Sequence, residues 1–320
     1  MTLRPIPALI TALSLLAAPP LTAGEQTDSA AVVPRRVIVW HDVTGAAIGA
    51  GLTVGITEAL KHGVTEWRPD RSDDRSFPSR HASWAYAGVA ILSVELSDRF
   101  AYTPLLAQTA ANAVGMQRVI SRRHYPSDVL AGAAVGLLSV RAGYWLSDLI
   151  FNTSRRQTIN FSGERRSSLY TSTVAIIPLK SKNGDFALGT GIESAIGIIA
   201  PITERFDIGA AAGLRSAPVY SHHQFVAPLS SLALRATAGY SIIDSRRWAV
   251  DVGASASLLH NFHHNTLGVK QFGAAADLSA DAIHRLTDRI STGISAAIEG
   301  ASIRGFRPSL RIALNTRVTL

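Results

Sequence analysis

The chain has 320 residues, which is long enough for two domains rather than one. Hydrophobic residues make up 47% and charged residues 17%, so a disordered, highly charged tail protein is excluded. The net charge of +8 favours anionic partners such as phosphates or lipid surfaces, although a charge of this size is also ordinary for solubility. Cysteine is absent, which excludes disulfides, thiolate nucleophiles and cysteine-ligated metals.

Residues 1–23 have the pattern of a secretory signal peptide. Arg4 provides a short basic start, an apolar stretch covers 6–18, and residues 21–23 before Gly24 resemble a signal-peptidase site. An uncleaved membrane anchor is the alternative, which the small residues at the cut disfavour. We therefore expect the mature chain to start near Gly24, outside the cytoplasm.

Residues 24–151 are predicted to form an all-α domain. Apolar residues come in blocks of helical length, with no alternating strand pattern between the blocks. Charged residues cut the apolar runs short, which predicts the helices of a compact soluble bundle rather than membrane-spanning helices. The predicted helices are 37–61, 80–97, 99–120 and 127–150.

A polar, basic segment at 152–167 is predicted to be a linker, and after it the period of the apolar residues becomes two. In eight segments one face is apolar and the other is small, polar or charged. Short connections alternate with longer ones, and aromatic residues cluster at the segment ends, as in outer-membrane barrels. The segments lie near 168–179, 186–199, 206–216, 230–243, 248–260, 270–283, 289–300 and 308–320.

These features predict a multidomain chain: an all-α domain, then an eight-stranded antiparallel transmembrane β-barrel at 168–320. A soluble β-sandwich or lipocalin-like barrel is the alternative, but the non-apolar faces fit a narrow barrel lumen. Leu320 departs from the aromatic residue with which outer-membrane barrels usually end. We expect the lumen charges to form a salt-bridged plug. They are Glu193, Asp207, Arg215, Arg235, Asp251, Asp277, Asp281 and Glu299.

The region 61–128 holds the densest set of groups that can bind and transfer phosphate. A phosphoryl group in transfer needs fixed cations and N–H donors on its oxygens, with a nucleophile and an acid on opposite sides. Each residue alone is better explained as a helix-end charge or cap, but together they favour a phosphate site. The cations are Lys61, Arg68 and Arg118, and the hydrogen-bond donors are Ser79 and the backbone N–H groups at the start of the helix that follows it. The histidines are His81 and His124, and the carboxylate is Asp128.

The order and spacing of these residues resemble the signature of the phosphatidic acid phosphatase type 2 superfamily, which includes bacterial acid phosphatases and vanadium haloperoxidases. That signature reads K-x6-R-P, then P-S-G-H, then S-R-x5-H-x3-D. The resemblance covers only the helical half. The matching residues are Lys61, Arg68 and Pro69, then Pro78, Ser79 and His81, then Arg118, His124 and Asp128.

The resemblance implies that His124 is a nucleophile that forms a phosphohistidine, oriented by Asp128. It makes His81 the acid that protonates the leaving oxygen and later the base that activates water. Two positions depart from the signature, because Arg80 replaces its glycine and Gln117 its serine. The departures concern substrate choice and rate more than reaction class. The implied phosphate-binding residues are Lys61, Arg68, Ser79, Arg80 (through its N–H) and Arg118.

The sequence thus predicts a phosphatase without metal or cofactor, acting on a lipid phosphate or pyrophosphate of the phosphatidylglycerol phosphate, phosphatidate or lipid A type. The expected place is the periplasmic side of the outer membrane, with membrane lipid and no nucleic acid as partners. One alternative is a non-catalytic anchor or small pore, which an Arg80 side chain blocking the pocket would favour. Another is a vanadate-dependent haloperoxidase, since a phosphate cradle also holds vanadate.

Histidines in the two longest presumed external loops lie outside this predicted site. Paired histidines can bind a transition metal, but no carboxylate accompanies either pair. We therefore interpret them as exposed polar loop residues. They are His222, His223, His263 and His264.

Overall fold

The computed structural model describes residues 35–152, 165–179, 182–183, 186–222, 224–262, 264–302 and 305–320. The predicted signal peptide at 1–23 and most of the predicted linker at 152–167 lie outside the described residues. The described part of the chain forms four long helices followed by a closed antiparallel β-barrel, as the sequence predicts.

The four helices agree with the predicted ones to within a few residues at most ends. At the start of α2 the Ser79 hydroxyl accepts a hydrogen bond from the Ala82 N–H, and α4 ends at Asn152 in a left-handed conformation. The helices are α1 (Arg35–Gly63), α2 (Arg80–Leu96), α3 (Thr103–Ile120) and α4 (Pro126–Phe151).

Helix α4 packs closely against α1 and α2. A Cβ atom on Gly132 would lie 2.5 Å from the Ser79 carbonyl oxygen, so only glycine permits this approach of α4 to α2. At the other end of α4, His41 of α1 lies 2.7 Å from Asp148 through Nε2 and 3.0 Å from Asp42 through Nδ1. Helices α1, α2 and α4 therefore form one unit, with α3 packed on α2.

Two stretches of the described helices are long and apolar enough to cross a membrane, judged by length and composition alone: Val39–Gly63 of α1 and Pro126–Phe151 of α4. Within an apolar 18-residue window of each stretch, 56% of the α4 residues are buried within the protein, but only 22% of the α1 residues are. Helix α1 therefore turns most of its apolar surface outward. The prediction of a soluble bundle did not anticipate this exposed apolar surface.

The strands pair as a closed barrel. The order is β5-β4-β1-β10-β9-β8-β7-β6, and β6 pairs back onto β5, so the predicted eight-stranded antiparallel barrel is confirmed. Strand β3 pairs with the end of β5, and β2 pairs with β3. The strands are β1 (Ser168–Pro178), β2 (Lys182–Asn183), β3 (Phe186–Leu188), β4 (Gly191–Pro201), β5 (Phe206–Ser221), β6 (Gln224–Asp244), β7 (Trp248–Asn261), β8 (Phe272–Arg285), β9 (Ile290–Ser302) and β10 (Phe306–Thr319); a short helix α5 (His264–Leu267) precedes β8.

Two predicted boundaries on the barrel are wrong. The segment predicted as one strand near 186–199 is divided between β3 and β4. The stretch 217–229 resembles a loop in sequence because it contains Pro218 and Pro228, yet it continues β5 and β6 as a hairpin. The two prolines face each other beyond the end of β4, at the rim of the sheet, where a missing N–H is tolerated.

The strand register sends charged side chains into the lumen. Arg311 donates to Asp277 at 2.6 Å and to Glu193 at 3.0 Å, and Arg215 donates to Glu299 at 2.6 Å. These pairs leave a cavity of about 120 Å³. The predicted salt-bridged plug is therefore confirmed. The remaining predicted lumen charges also lie there: Arg235, Asp207, Asp251 and Asp281.

The two ends of the barrel differ. One, the turn end, carries the short turns 202–205, 245–247 and 286–289 together with both termini of the barrel. The other, the loop end, carries the connections 179–190, 222–223, 262–271 and 303–305. Between them the outer wall exposes apolar side chains. Examples are Leu234, Leu258, Leu278 and Ile298, with Phe206 and Tyr240 near the turn end and Phe272 and Phe306 near the loop end.

Helix α3 lies against the outer wall of the barrel, over β1, β4 and β10. Asn112 of α3 donates to the Ser172 carbonyl at 3.0 Å and accepts from the Thr173 hydroxyl at 2.5 Å. Gln108, one turn earlier, donates to the Leu314 carbonyl at 3.3 Å and accepts from the Thr316 hydroxyl. The helical half is thus joined to the barrel by buried polar contacts in addition to the chain itself.

Candidate active site

Four helix ends meet beside the loop end of the barrel. The ring of Tyr125, at the start of α4, lies 6.2 Å from that of Phe225, near the tip of the β5–β6 hairpin. Apolar residues of α2, α3 and α4 cluster nearby with Ala175 and Ile192 of the barrel. All eight predicted site residues lie at these helix ends or in the loop after α1. They are Lys61, Arg68, Ser79, Arg80, His81, Arg118, His124 and Asp128.

His124 is buried and held in one orientation. Its Nδ1 lies 2.9 Å from the carbonyl oxygen of Ser76 and 3.7 Å from Oδ2 of Asp128. A carbonyl oxygen can only accept, so Nδ1 carries the proton and Nε2 keeps its lone pair. The His124 ring therefore presents an unprotonated nitrogen on the side away from Ser76.

Asp128 is fully buried and accepts several hydrogen bonds. Its Oδ2 accepts from the Ser76 hydroxyl at 2.6 Å and from the Tyr125 N–H at 2.8 Å. Its main-chain oxygen accepts from the Ser79 N–H at 2.9 Å. Asp128 thus fixes the start of α4, the start of α2 and the segment that holds His124. Sequence reasoning missed Ser76, because a lone serine in a polar loop carries no spacing signal.

Ser79 lies beside Asp128 but is completely buried. Its hydroxyl caps α2 by accepting from the Ala82 N–H at 3.4 Å. The N–H groups at the start of α2 carry the positive end of the helix dipole, and the Ser79 N–H bonds to the main-chain oxygen of Asp128, four residues after His124. In this structure Ser79 shapes the helix end that provides those donors.

The loop after α1 places two of the predicted cations. Lys61, which is buried, donates through Nζ to the Arg75 carbonyl at 2.8 Å. Arg68 donates through Nε to Asp73 at 2.8 Å. Partial burial of Asp73 opposes ionisation, but hydrogen bonds from the Arg75 N–H and Arg68 outweigh it, so the pKa of Asp73 is below its ordinary value. Asp73 is therefore ionised at neutral pH and fixes the Arg68 guanidinium.

Arg118 and His81 complete the group. Within the described residues, the buried Nε of Arg118 has no hydrogen-bond acceptor, so it can bind an incoming anion. Partial burial, together with the positive charges of Arg118, Arg68 and Arg80, lowers the pKa of His81. His81 is thus neutral in the empty site at neutral pH, and a bound phosphate favours its protonation.

Arg80 turns its side chain away from the buried histidine and toward α1. Its guanidinium makes a two-pronged ion pair with Glu58, with both nitrogen–oxygen distances at 2.7 Å, and the pair is exposed. The guanidinium is therefore held by α1, yet together with partial burial its charge still lowers the pKa of His81. Its main-chain N–H remains at the start of α2.

The histidines outside the site are only partly described. His222 lies at the turn of the β5–β6 hairpin, 3.2 Å from the Ser221 hydroxyl. His264 begins α5, while His223 and His263 lie outside the described residues. Their interpretation as exposed loop residues stays a prediction.

The model of the PAP2 superfamily matches residues 42–151, which include every predicted site residue. These residues form a PAP2 superfamily domain. The match starts within α1 and ends at the last residue of α4, so the PAP2 domain and the helical half coincide. The barrel lies outside this match.

Two proteins named as lipid phosphatases share sequence with the PAP2 domain. Lipid A 1-phosphatase of Porphyromonas gingivalis is 32% identical over 130 residues, which are 41% of this chain and 29% of that protein. Lipid phosphate phosphatase 2 of Arabidopsis thaliana is 28% identical over 140 residues, covering 30% of this chain and 47% of that protein. The chain therefore spans less than half the length of either relative.

Solved barrels are similar to the C-terminal half of the chain. The outer membrane protein OprG from Pseudomonas aeruginosa covers 48% of this chain and 93% of its own, with 8% identity and a TM-score of 0.34. Neisserial surface protein A covers 50% of this chain and 98% of its own, with 12% identity and a TM-score of 0.36.

Proposed function

We propose that the chain is a phosphatase that hydrolyses the phosphate of a membrane lipid through a phosphohistidine at His124. The observation that carries the proposal is the fixed His124 ring, whose Nδ1 is bonded to the Ser76 carbonyl and whose Nε2 is free to attack. Around it stand the α2 N-terminus and the unpaired Nε of Arg118. In-line phosphoryl transfer requires such a nucleophile, together with cations and N–H donors on the phosphate oxygens.

In the first step, Nε2 of His124 attacks phosphorus and forms a P–N bond while the bond from phosphorus to the lipid oxygen breaks. His81, protonated in the complex, gives its proton to the departing oxygen. In the second step, neutral His81 takes a proton from water, and the resulting hydroxide attacks phosphorus. The P–N bond breaks, inorganic phosphate leaves, and His124 returns to its starting state.

The proposed substrate class is a lipid phosphate. The two relatives are named for lipid A and for lipid phosphate, and the matched region contains the whole predicted site. The barrel supports a membrane location, because its wall is apolar and its lumen holds the charges. We propose the outer membrane as that location. Placement of the helical domain in the periplasm remains a prediction. The contact of that domain with the outer wall of the barrel does not favour it.

Phosphate release by the full chain in lipid vesicles tests the proposal. Vesicles carrying phosphatidate, phosphatidylglycerol phosphate or lipid A are compared with a soluble phosphomonoester, in the presence of EDTA. We expect release from at least one lipid, and a loss of about 10³-fold or more in His124→Gln. His62→Gln, an exposed histidine at the end of α1, is the matched control and keeps the activity.

A reaction with labelled lipid phosphate, quenched in alkaline detergent so that the acid-labile P–N bond is kept, gives a second measurement. The wild-type chain carries transient label on protein, and His124→Gln carries none. Equal phosphate release by wild type and His124→Gln would overturn the proposal. Release from the soluble ester alone would remove the lipid as substrate while keeping the chemistry.

A further inference from the structure

We infer that the helical domain is embedded in the membrane beside the barrel, with its phosphate site at the membrane surface on the loop-end side. The substrate would then be an anionic lipid headgroup in the leaflet at that surface. The substrate part rests on the proposed phosphatase, whereas the placement stands on the contacts of the described residues.

The first step is the position of the contact between the two halves. Thr171 and Thr173 of β1 point to the outside of the barrel, since their neighbours Ser172 and Val174 line the lumen. At that height the outer wall elsewhere is apolar. The Thr171 hydroxyl donates to the Ala195 carbonyl of the neighbouring strand. The Thr173 hydroxyl would lack a partner in lipid, but it bonds to Asn112 and Tyr86 of the helical half. The helical half therefore occupies the place that lipid occupies around the rest of the wall.

The second step is the distribution of polarity within the helical half. Inside it, polar groups pair with one another: His41 with Asp148, and Tyr144 with Glu95 at 2.5 Å. Outside it, large apolar side chains are exposed along the helices. They include Val43, Val54, Ile56, Leu92, Leu106 and Leu149. With the exception of the exposed Arg141 of α4, this distribution of polar groups inside and apolar side chains outside suits a protein surrounded by lipid.

The third step is the position of the tryptophans. Four of the five tryptophans lie in the helical half, and each is more than half exposed. Trp40 and Trp145 lie near the ends of α1 and α4 that point away from the site, and Trp67 and Trp84 lie beside the site. From Trp40 to the end of α1 the helix rises about 30–35 Å, close to the thickness of a bilayer core. Tryptophans at both ends are typical of the two membrane–water interfaces.

The direction of α3 decides which surface the site faces. Along α3, Gln108 contacts Leu314 and Thr316, while Met116 and Val119 pack near Ala175 and Ile192, closer to the loop end. The site follows at the end of α3, and Tyr125 contacts the β5–β6 hairpin. In outer-membrane barrels the short turns face the periplasm and the longer loops face outward. The site therefore lies at the outer surface.

Exposed arginines surround the site on that surface. Arg71 and Arg75 lie in the loop after α1, and Arg122 and Arg123 lie between α3 and α4. All four are exposed, and Arg123 also pairs with Asp70 at 3.2 Å. A group of cations at a membrane surface attracts anionic headgroups. Their position fits a substrate that reaches the site from the outer leaflet.

Passage through the inner membrane is compatible with this arrangement. The apolar stretches of α1 and α4 contain Asp42, Glu58, Arg141 and Asp148. Asp42, Glu58 and Asp148 lie near the ends of these helices, whereas Arg141 lies near the centre of α4, where a charge disfavours insertion of the isolated helix. Packing among the helices and against the barrel supplies the partners that make residence in a membrane favourable.

Single-cysteine labelling tests the placement, because the chain has no cysteine of its own. Thr65→Cys marks the site, Asp98→Cys the opposite end of the helical half, Gln271→Cys the loop end and Glu204→Cys the turn end; all four residues are exposed. Each full-length variant is expressed in a Gram-negative host and treated with a membrane-impermeant maleimide, first on intact cells and then after outer-membrane permeabilisation.

We expect Thr65→Cys and Gln271→Cys to be labelled on intact cells, and Asp98→Cys and Glu204→Cys only after permeabilisation. Labelling of Thr65→Cys only after permeabilisation, with Gln271→Cys labelled on intact cells, would place the domain in the periplasm and overturn the inference. Failure of Gln271→Cys to label on intact cells would overturn the outer-surface placement. The readout needs no phosphate release, so it is independent of the proposed catalysis.

Discussion

At the residue scale, the buried contacts around His124 determine what the site can do. The imidazole is fixed by a main-chain carbonyl, while the carboxylate of Asp128 lies 3.7 Å away and bonds to Ser76 and Tyr125 instead. Asp128 therefore acts on His124 largely through Ser76. One buried serine connects the two residues that the sequence identifies as a pair.

Replacing Ser76 by alanine tests this connection. The substitution removes the 2.6 Å hydrogen bond to Asp128 and leaves the carbonyl that holds His124. Loss of one donor to a buried carboxylate corresponds to about 1–3 kcal/mol, so we expect kcat to fall by about 5- to 150-fold without abolishing activity. Ser121→Ala, an exposed serine between α3 and α4, serves as the control in the vesicle assay. Unchanged kcat in Ser76→Ala would show that Asp128 orients His124 without Ser76.

At the element scale, the sequence predicts which segments are helices and strands but not how closely they approach. Helical and two-residue periods are visible in the residue pattern, and they give α1 to α4 and the barrel strands. The sequence does not predict the part of β5 and β6 that projects beyond β4. Prolines such as Pro218 and Pro228 occur both in loops and at the rim of a sheet, so they do not distinguish the two. The sequence also does not predict the close packing of α4 on α2, since a glycine within an Ala-rich helix does not indicate which helix it contacts.

Gly132 is the position where this packing reaches the site. A Cβ there would lie 2.5 Å from the Ser79 carbonyl oxygen, at the first turn of α2. We expect Gly132→Ala to push the α2 N-terminus away from His124, to destabilise the domain by about 1–3 kcal/mol and to lower phosphate release. The measurements are thermal melting by far-ultraviolet circular dichroism and the vesicle assay.

Gly88→Ala provides the comparison for Gly132→Ala, because a Cβ at Gly88 meets nothing within 4 Å. It keeps the activity and leaves stability unchanged or slightly raised, since alanine favours helix more than glycine does. If the two variants behaved alike, close packing at Gly132 would not be what positions the start of α2.

At the scale of the whole molecule, two halves that the sequence presents as separate are joined along their lengths. The residue pattern predicts a soluble domain on a linker, because Gln108, Asn112 and Thr109 make α3 look too polar for a membrane. In the structure Gln108 and Asn112 are buried against β1 and β10. Spacing along one helix cannot reveal that its polar face meets the outside of a barrel, so the sequence missed the contact.

The contact predicts that the two halves stabilise each other. In Asn112→Leu the side chain keeps its size, but Thr173, the Ser172 carbonyl and the buried Tyr86 hydroxyl each lose one hydrogen bond, at a cost of about 1–3 kcal/mol. We expect the helical circular dichroism signal to be lost at a lower temperature and protease to cleave between the two halves faster. The barrel should keep its heat-modifiable migration in gel electrophoresis. Gln117→Leu, on an exposed position of the same helix, changes neither. Identical melting of Asn112→Leu and wild type would mean that the helical half is held to the barrel by its apolar contacts, because the buried hydrogen bonds would then contribute nothing net.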